Sequence, residues 1–250
     1  FAILSVIAAS WLSATPMRPA DVFDAVVDGV RTMVSTALLL VAVGIIINVV
    51  TTTGVGNAFS LMIVEWAQGS LLITLVLVAL ASLVLGMGLP VTASYIVLAT
   101  LSAPLIFDLI SQSALLDALL AAIDEGTLPS SVAATLSLFG DDVGLALQQM
   151  PLEMKQLIRA EMLPAELLTG MLLSAHLIIF WLSQDSNVTP PVCLASFAAA
   201  GIAGTNPMAT GFTSWKVAKG LYLVPILFAY SPIISGTWPE RIEIFVWSCM

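Results

Sequence analysis

Long apolar segments alternate along the chain with short polar ones, and one apolar segment is interrupted where a membrane helix would be continuous. Residues 67–107 contain no charged side chain, yet Gly86-Met87-Gly88-Leu89-Pro90 places two glycines and a proline within five positions. Glycine permits backbone angles that other residues resist, and proline lacks an N–H and clashes with the preceding helical turn. The pattern therefore predicts two helical arms, residues 71–85 and 91–107, that meet at a break. The arms form either one broken spanning helix or a re-entrant hairpin.

A second break is predicted between the apolar segments 167–182 and 192–203, at Asp185-Ser186-Asn187-Val188-Thr189-Pro190-Pro191. Two consecutive prolines remove two backbone donors and leave upstream carbonyls without helical partners. Non-helical backbone at membrane depth persists only where protein or a water-lined cavity surrounds it, and paired breaks are typical of secondary-transporter binding sites. We therefore expect the two breaks to form one ion and solute site. A kink used only for packing is the alternative at each break.

The remaining pattern predicts helices on both sides of the breaks. Residues 1–11 are expected to end a membrane helix that closes at Thr15-Pro16, and residues 21–34 form an amphipathic interfacial stretch. The uncharged run 32–64 is long enough for one span of about 20 residues and a turn at 51–57. Helical spacing continues over the ranges 58–67, 113–124 and 144–162. Gly204-Thr205-Asn206-Pro207 predicts a turn before an amphipathic helix at 208–219 and a span at 220–235.

Composition places the chain among polytopic all-α membrane proteins. Hydrophobic residues make up 59% of it and charged residues 9%, with a mean hydropathy of +1.06. Soluble domains carry roughly 25% charged residues, so no packing arrangement would hide this much apolar surface from water. The first residue lies inside an apolar run without a basic region before it, so no signal peptide is visible. We expect the chain to be part of a longer polypeptide, embedded in a lipid bilayer.

The net charge of −9 is concentrated in one segment. This segment contains two basic residues, Lys155 and Arg159, and nine acidic ones: Asp108, Asp117, Asp124, Glu125, Asp141, Asp142, Glu153, Glu161 and Glu166. A segment this charged cannot span lipid, so residues 108–162 are expected to form an aqueous helical insertion. The scarcity of bases and the lack of a basic patch argue against a nucleic-acid partner.

Basic residues near the membrane ends mark cytoplasmic loops. Arg18 and Arg31 precede the first predicted span, and Lys216 and Lys219 follow the second break. Both pairs lie on one side of the membrane only if residues 71–107 return to the side from which they enter. The charge pattern therefore favours a hairpin, a periplasmic acidic segment and cytoplasmic Lys216 and Lys219.

The candidate binding residues lie at the two breaks, because freed carbonyls and short hydroxyls are hard oxygen ligands that suit a small cation. Asp185 is an ionisable residue at the end of an apolar span, which is functional by default, although an interfacial position is an equal alternative. The ion and substrate candidates are Gly86, Met87, Gly88, Pro90, Thr92, Ser94, Asp185, Asn187, Thr189, Pro190 and Pro191.

The chain is not expected to be an enzyme or to hold a catalytic metal. It contains one histidine, no H-E-x-x-H motif and at most one intramembrane aspartate, so no nucleophile with a base is evident. His176 is interpreted as a core residue with a satisfied hydrogen bond. Cys193 and Cys249 lie far apart in apolar contexts and are expected to be inert thiols.

The stretch Gly86-Met87-Gly88-Leu89-Pro90-Val91-Thr92-Ala93-Ser94-Tyr95 resembles the large membrane subunit of tripartite ATP-independent periplasmic (TRAP) transporters, most closely the fused permeases that work with TAXI-type binding proteins. The resemblance covers residues 21–106 and 176–234. Further matching motifs are Val188-Thr189-Pro190-Pro191-Val192, Ala198-Ala199-Ala200-Gly201-Ile202-Ala203-Gly204, Asn206-Pro207-Met208 and Gly211-Phe212-Thr213-Ser214-Trp215-Lys216.

This resemblance implies the C-terminal half of an elevator transport domain like those of the ion-transporter superfamily, in a bacterial inner membrane. Residues 86–92 would be the tip of a re-entrant hairpin, and residues 187–191 the unwound helix that faces it. The implied coupling ion is Na⁺, with Gly86, Thr92, Asn187 and Thr189 as its candidate ligands. The implied cargo is a small organic solute, expected to be a carboxylate.

The partners implied by the resemblance are a periplasmic solute-binding protein, a small TRAP membrane subunit or its fused equivalent, and the N-terminal half of the same permease. Family members join the two motifs by a short linker, whereas residues 108–166 intervene here. The domain division that follows is 1–20, 21–107, 108–162, 163–236 and 237–250. A non-transporting structural or sensory membrane module is the alternative function.

Overall fold

The computed structural model describes residues 2–11, 17–87, 89–140, 142–190 and 192–249, and these contain helices and no strand. The chain divides into two compact units, Phe1–Val49 and Val50–Met250. The first unit holds α1 (Ala2–Trp11) and most of α2 (Pro19–Thr53). Helix α2 joins the expected interfacial stretch and the expected span into one continuous helix, with Pro19 at its first position, where a missing N–H costs nothing. The predicted closure at Thr15-Pro16 lies outside the described residues.

The second unit opens with α3 (Val55–Ala67) and α4 (Leu71–Gly86). Gly54 adopts φ +69° between α2 and α3, which confirms the predicted turn. Ser70 caps α4, since its hydroxyl accepts a bond from the backbone N–H of Ile73. Helix α4 ends at Gly86 and the next helix begins only after Pro90, so the predicted break is confirmed.

Helix α5 (Val91–Asp124) is longer than predicted. The expectation of one arm ending at residue 107 and a separate helix at 113–124 is wrong, because α5 runs without interruption for 34 residues, about 51 Å at 1.5 Å per residue. Pro104 lies inside it. Leucines at helical spacing keep one face of α5 buried on both sides of the expected boundary, at Leu98, Leu105, Leu115 and Leu119. The acidic insertion therefore begins in the middle of a helix.

Three short helices complete the insertion, namely α6 (Ser130–Ser137), α7 (Val143–Gln149) and α8 (Leu152–Met162). They form a small core of their own with the distal part of α5, from Leu115, Leu119, Val132, Leu136, Ala146, Leu147, Met150, Ile158 and Leu163. The single helix expected over 144–162 is wrong. Met150 is extended, with ψ 136°, because Pro151 disfavours the helical conformation of the residue before it.

The chain then forms α9 (Ala165–Ser183), a single 3₁₀ turn at Asp185–Asn187, and α10 (Leu194–Ala203). These bounds confirm the second predicted break. The last helices are α11 (Pro207–Val217), α12 (Gly220–Tyr230) and α13 (Trp238–Cys249), and Gly204 makes the predicted turn with φ +66°. The helix expected to reach residue 235 ends five residues earlier. Ser231 is extended before Pro232, with ψ 152°, so the helix cannot continue.

The main core lies between α4, α5 and α9, with α3 and α12 packed around it. Its fully buried residues include Val78, Leu98, Ile106, Ile178 and Ile179. The outer face of α4 exposes an apolar stripe one helical turn apart, Val76, Leu80 and Val84, each more than half exposed. Among the described residues, two helices are long and apolar enough to cross a membrane, Val91–Asp124 and Ala165–Asn187.

Candidate functional site

The two chain breaks meet in space. Gly86, the last residue of α4, lies directly against Ser186 in the 3₁₀ turn, and a Cβ atom at position 86 would collide with the Ser186 side chain. Both residues are buried. The absence of a side chain at Gly86 is therefore what allows the end of α4 to approach the turn.

A second contact holds the same two helix ends together. The Ser82 hydroxyl, one turn before Gly86, lies 3.1 Å from the backbone oxygen of Leu182 and 2.7 Å from that of Ala79, so its proton is shared between α9 and its own helix. Ser82 is 1% exposed. The last turn of α4 is thus bonded to the last turn of α9, which fixes where the two breaks meet.

The backbone of the second break is irregular but not free. The backbone carbonyl oxygen of Asp185 accepts hydrogen bonds from the N–H groups of Val188 at 3.2 Å and Thr189 at 2.8 Å. The backbone carbonyl oxygen of Thr189 accepts one from the N–H of Cys193 at 3.2 Å. Cys193 then adopts a left-handed conformation, φ +40°, before α10 begins. Pro190 has no N–H to contribute to this pattern. The segment keeps its shape through these few bonds instead of a helical ladder.

Asp185 is the most unusual side chain at the site. It is 1% exposed, and neither carboxylate oxygen has a hydrogen-bond partner among the described protein atoms. The side chain is therefore enclosed by protein. An isolated buried carboxylate is costly, so it calls for a cation, a proton or a donor that the described residues do not supply.

Thr189 lies close by and is 8% exposed. Its hydroxyl forms a short hydrogen bond with the hydroxyl of Tyr222 in α12. A hydroxyl that makes one such bond keeps a lone pair with which it can bind a cation. The bond also ties the second break to α12, which packs against α9.

The other candidate residues occupy different environments. Ser94 is buried on α5, and its hydroxyl has no hydrogen-bond partner among the described residues. Asn187 and Pro190 are half-buried at the second break. The exposed candidates at the first break are Met87, Pro90 and Thr92, and two further candidates, Gly88 and Pro191, lie outside the described residues.

Comparison with known families now gives a family for the chain. The model of the family described as the tripartite ATP-independent periplasmic transporter, DctM component, matches residues 1–234. The chain belongs to this family of TRAP transporters. No curated protein and no solved structure matches it at the significance required. The large components of this family act in membranes, together with a periplasmic binding protein and a small subunit. The family match therefore indicates a transport protein.

Two residues of this TRAP chain were missed by sequence reasoning. Ser186 stands between two candidates that were chosen, and only the packing shows that it is the residue against which Gly86 lies. Tyr222 is 33 positions from Thr189, and no spacing rule connects them. His176 was interpreted as a satisfied residue, and its Nδ1 is indeed 3.2 Å from the hydroxyl of Tyr95.

The chemistry of the site differs from that of a transition-metal centre. In the part of the chain that the structure describes, no three His, Cys, Asp or Glu side chains lie close enough to hold a metal together. The groups available at the second break are a carboxylate, a hydroxyl and backbone oxygens, all of them hard ligands. Such groups suit an alkali cation or the polar end of a solute.

Proposed function

We propose that this chain is part of a TRAP permease that imports a small organic solute together with Na⁺, and that the two breaks form its ion site. The observation that carries the proposal is the buried Asp185 carboxylate, which has no hydrogen-bond partner among the described residues, beside the contact between Gly86 and Ser186. A buried carboxylate needs a partner for its charge, and a bound cation supplies that partner where the protein does not.

The residues present fit Na⁺. Asp185 supplies charge, Thr189 supplies a hydroxyl and Asn187 supplies an amide oxygen, all from one irregular segment. Because Gly86 has no side chain, the backbone of the first break can lie directly against this segment. Thr92 is exposed in the structure and would join the ligands only if the tip moved. Bound Na⁺ would supply positive charge that holds the tip of the hairpin against the broken helix.

We further propose that α4 and the first part of α5 form a re-entrant hairpin in an elevator domain. Helix α4 has 16 residues, about 24 Å, which is shorter than the hydrocarbon core of about 30 Å, and α4 and α5 pack against each other. A hairpin that returns to its side of entry places the acidic insertion in the periplasm and Lys216 and Lys219 in the cytoplasm of a bacterial inner-membrane protein.

The transported solute is proposed to be a small carboxylate delivered by a periplasmic binding protein. The family match supports a permease that works with such a protein and with a small membrane subunit or its fused equivalent. The N-terminal half of the same permease would supply the facing half of the site.

The proposal is tested by the Na⁺ dependence of access to the hairpin tip. Met87 is 54% exposed, and Met87→Cys in a chain with Cys193→Ala and Cys249→Ala gives one reactive thiol at the tip. If Na⁺ binding favours the closed tip by about 1.4 kcal/mol, maleimide labelling in Na⁺ is slower than in K⁺ on the order of tenfold. Asp185→Asn should remove this difference.

A matched control is Asp124→Asn, which neutralises an exposed aspartate at the far end of α5. It should label like the parent chain in both salts. Equal labelling in Na⁺ and K⁺ in the parent chain would refute the ion site, as would a full Na⁺ effect in Asp185→Asn.

A further inference from the structure

The indole N–H of Trp181 is a buried donor without an acceptor. Trp181 lies in the last turn of α9, and its ring is half-buried. Its Nε1 atom is shielded and has no hydrogen-bond partner among the described residues. An indole nitrogen only donates, so accepting a bond cannot satisfy it. Because a buried donor without a partner costs free energy, this group needs an acceptor that its packing does not provide.

Asp185 is the buried acceptor one turn further along the chain. The backbone N–H of Gln184 bonds to the carbonyl oxygen of Trp181 at 3.1 Å, so the chain between Trp181 and Asp185 makes one tight turn. Side chains four positions apart on a helix lie on one face, with about 5–6 Å between their Cβ atoms. Helical side chains also lean towards the N-terminus, which directs Asp185 over the turn that begins at Trp181. Rotation of the side chains therefore brings this donor and this acceptor within reach of each other.

The helices that pack around Asp185 offer it no counter-charge. Helix α4 packs against the 3₁₀ turn and α12 against α9, and neither helix contains a charged residue. On α12, Phe228 meets the Trp181 ring edge to face, with 6.1 Å between the ring centroids, and the Tyr222 hydroxyl is already bonded to the second break. Pro225 is buried between them along α12 and has no N–H. A partner for Asp185 must therefore come from its own segment or from a ligand.

The other unsatisfied polar groups do not compete for this role. In the part of the chain that the structure describes, Trp181 and Arg159 are the residues whose buried side-chain nitrogens lack a partner. Arg159 belongs to the insertion, where its guanidinium already bonds to a carboxylate. Ser94 and Ser102 are also unsatisfied, but a hydroxyl can rotate towards a carbonyl of the preceding turn, which an indole cannot do. Trp181 is thus the donor best matched to Asp185.

We propose that Trp181 is a positioning residue of the Na⁺ site, whose indole N–H bonds to the Asp185 carboxylate when Na⁺ has left and releases it when Na⁺ binds. This role rests on the proposed function, because Na⁺ is the ion that Asp185 would bind. A hydrogen bond to an ionised carboxylate is about twice as strong as one between neutral groups, and a bound cation neutralises the charge on which that strength depends. The bond therefore stabilises the cation-free site more than the loaded one, which weakens Na⁺ binding and favours release of the ion.

The test is the Na⁺ affinity of the purified full chain, measured from the rise in melting temperature as NaCl replaces choline chloride at constant ionic strength. Trp181→Phe keeps an aromatic ring against Phe228 and removes the N–H. We expect this variant to bind Na⁺ on the order of tenfold more tightly than the parent chain, because its cation-free site has lost a stabilising bond. Trp66→Phe makes the same change at a position that is 64% exposed and should leave the affinity unchanged.

Tryptophan fluorescence tests the same inference with Trp181 in place. The other tryptophans are exposed, so phenylalanine should replace all of them with little loss of stability: Trp11, Trp66, Trp215, Trp238 and Trp247. In this single-tryptophan chain, Na⁺ should change the emission of Trp181 relative to choline, because the indole exchanges its carboxylate partner. Adding Asp185→Asn should remove the change. An emission that does not respond to Na⁺ overturns the proposal.

The direction of the change in affinity separates this role from a structural one. An unchanged Na⁺ affinity in Trp181→Phe overturns the proposal, and so does a lower one, which would indicate that the face of the indole attracts the ion. If the Na⁺ dependence of Met87→Cys labelling persists in either case, the ion site stands and only the role of Trp181 is wrong. If the parent chain responds to Na⁺ in neither assay, both proposals are wrong.

Discussion

Asp108 and Asp185 are both buried, and they differ in what surrounds their carboxylates. Asp108 is 8% exposed and binds Lys155 and Arg159, so that it ties α8 of the insertion to α5. Asp185 is 1% exposed, and in the part of the chain that the structure describes neither of its carboxylate oxygens has a hydrogen-bond partner. A paired buried charge is part of the architecture, whereas an unpaired one indicates a site that something else completes. The same residue type therefore has a structural role in one region, and we propose a functional role for it in the other.

The largest effect that this comparison predicts is the loss of stability in Asp108→Asn. Removing the carboxylate leaves Lys155 and Arg159 buried with no counter-charge, and breaking a buried pair in this way costs about 3–5 kcal/mol. The insertion should loosen from α5, which limited proteolysis at the exposed turn 125–127 and thermal unfolding followed by circular dichroism would detect.

The control for this variant is Asp117→Asn, which changes an exposed aspartate on the same helix. A surface substitution of this kind should lie within about 0.5 kcal/mol of the parent chain. Equal unfolding curves for the two variants would show that the buried cluster does not hold the insertion in place.

An intermediate effect is expected for Gly86→Ala at the meeting point of the two breaks. The added methyl collides with Ser186, and overpacking typically costs about 1–3 kcal/mol. Ser186→Gly in the same chain removes the obstacle and should restore most of the stability. The double-mutant cycle, measured by thermal unfolding, isolates this contact.

Gly29→Ala is the matched substitution, because a Cβ at that helical position meets nothing within 4 Å. It should be neutral or stabilising by about 0.5–1 kcal/mol. If Ser186→Gly failed to rescue Gly86→Ala, the close approach of α4 to the 3₁₀ turn would not be the reason for glycine at position 86.

The smallest effect on intrinsic stability is expected for Asp185→Asn. In Na⁺-free buffer the substitution removes a buried charge that has no partner among the described residues, so it should not lower the melting temperature, in contrast to Asp108→Asn. Saturating Na⁺ should stabilise the parent chain, by about 2.7 kcal/mol at one hundred times the dissociation constant, and leave the variant unchanged. Choline chloride at the same concentration serves as the control for ionic strength. A strong loss of stability without Na⁺ would mean that Asp185 has a structural partner.

Local features of the fold could be predicted from the sequence by itself. Pro90 and Pro190 lack the N–H that a helix needs, and Gly54 and Gly204 reach backbone angles that other residues avoid, so the breaks and turns occur at these residues. The charge density of residues 108–162 predicted an aqueous helical insertion; this segment is helical and packs around a small core, but it is not separate, because α5 runs into it without a break. Each of these outcomes depends on the chemistry of a few neighbouring residues.

The pairings that define both sites were decided only by the tertiary structure. Asp108 meets Lys155 and Arg159 across 47 and 51 positions, and Ser82 meets the backbone of Leu182 across 100. Tertiary packing also explains why α5 continues past residue 107, because its leucines are buried against other helices on both sides of that position. Local preferences amount to about 1 kcal/mol or less for most residues, whereas the burial of a single large side chain contributes more, so packing determines which distant residues meet.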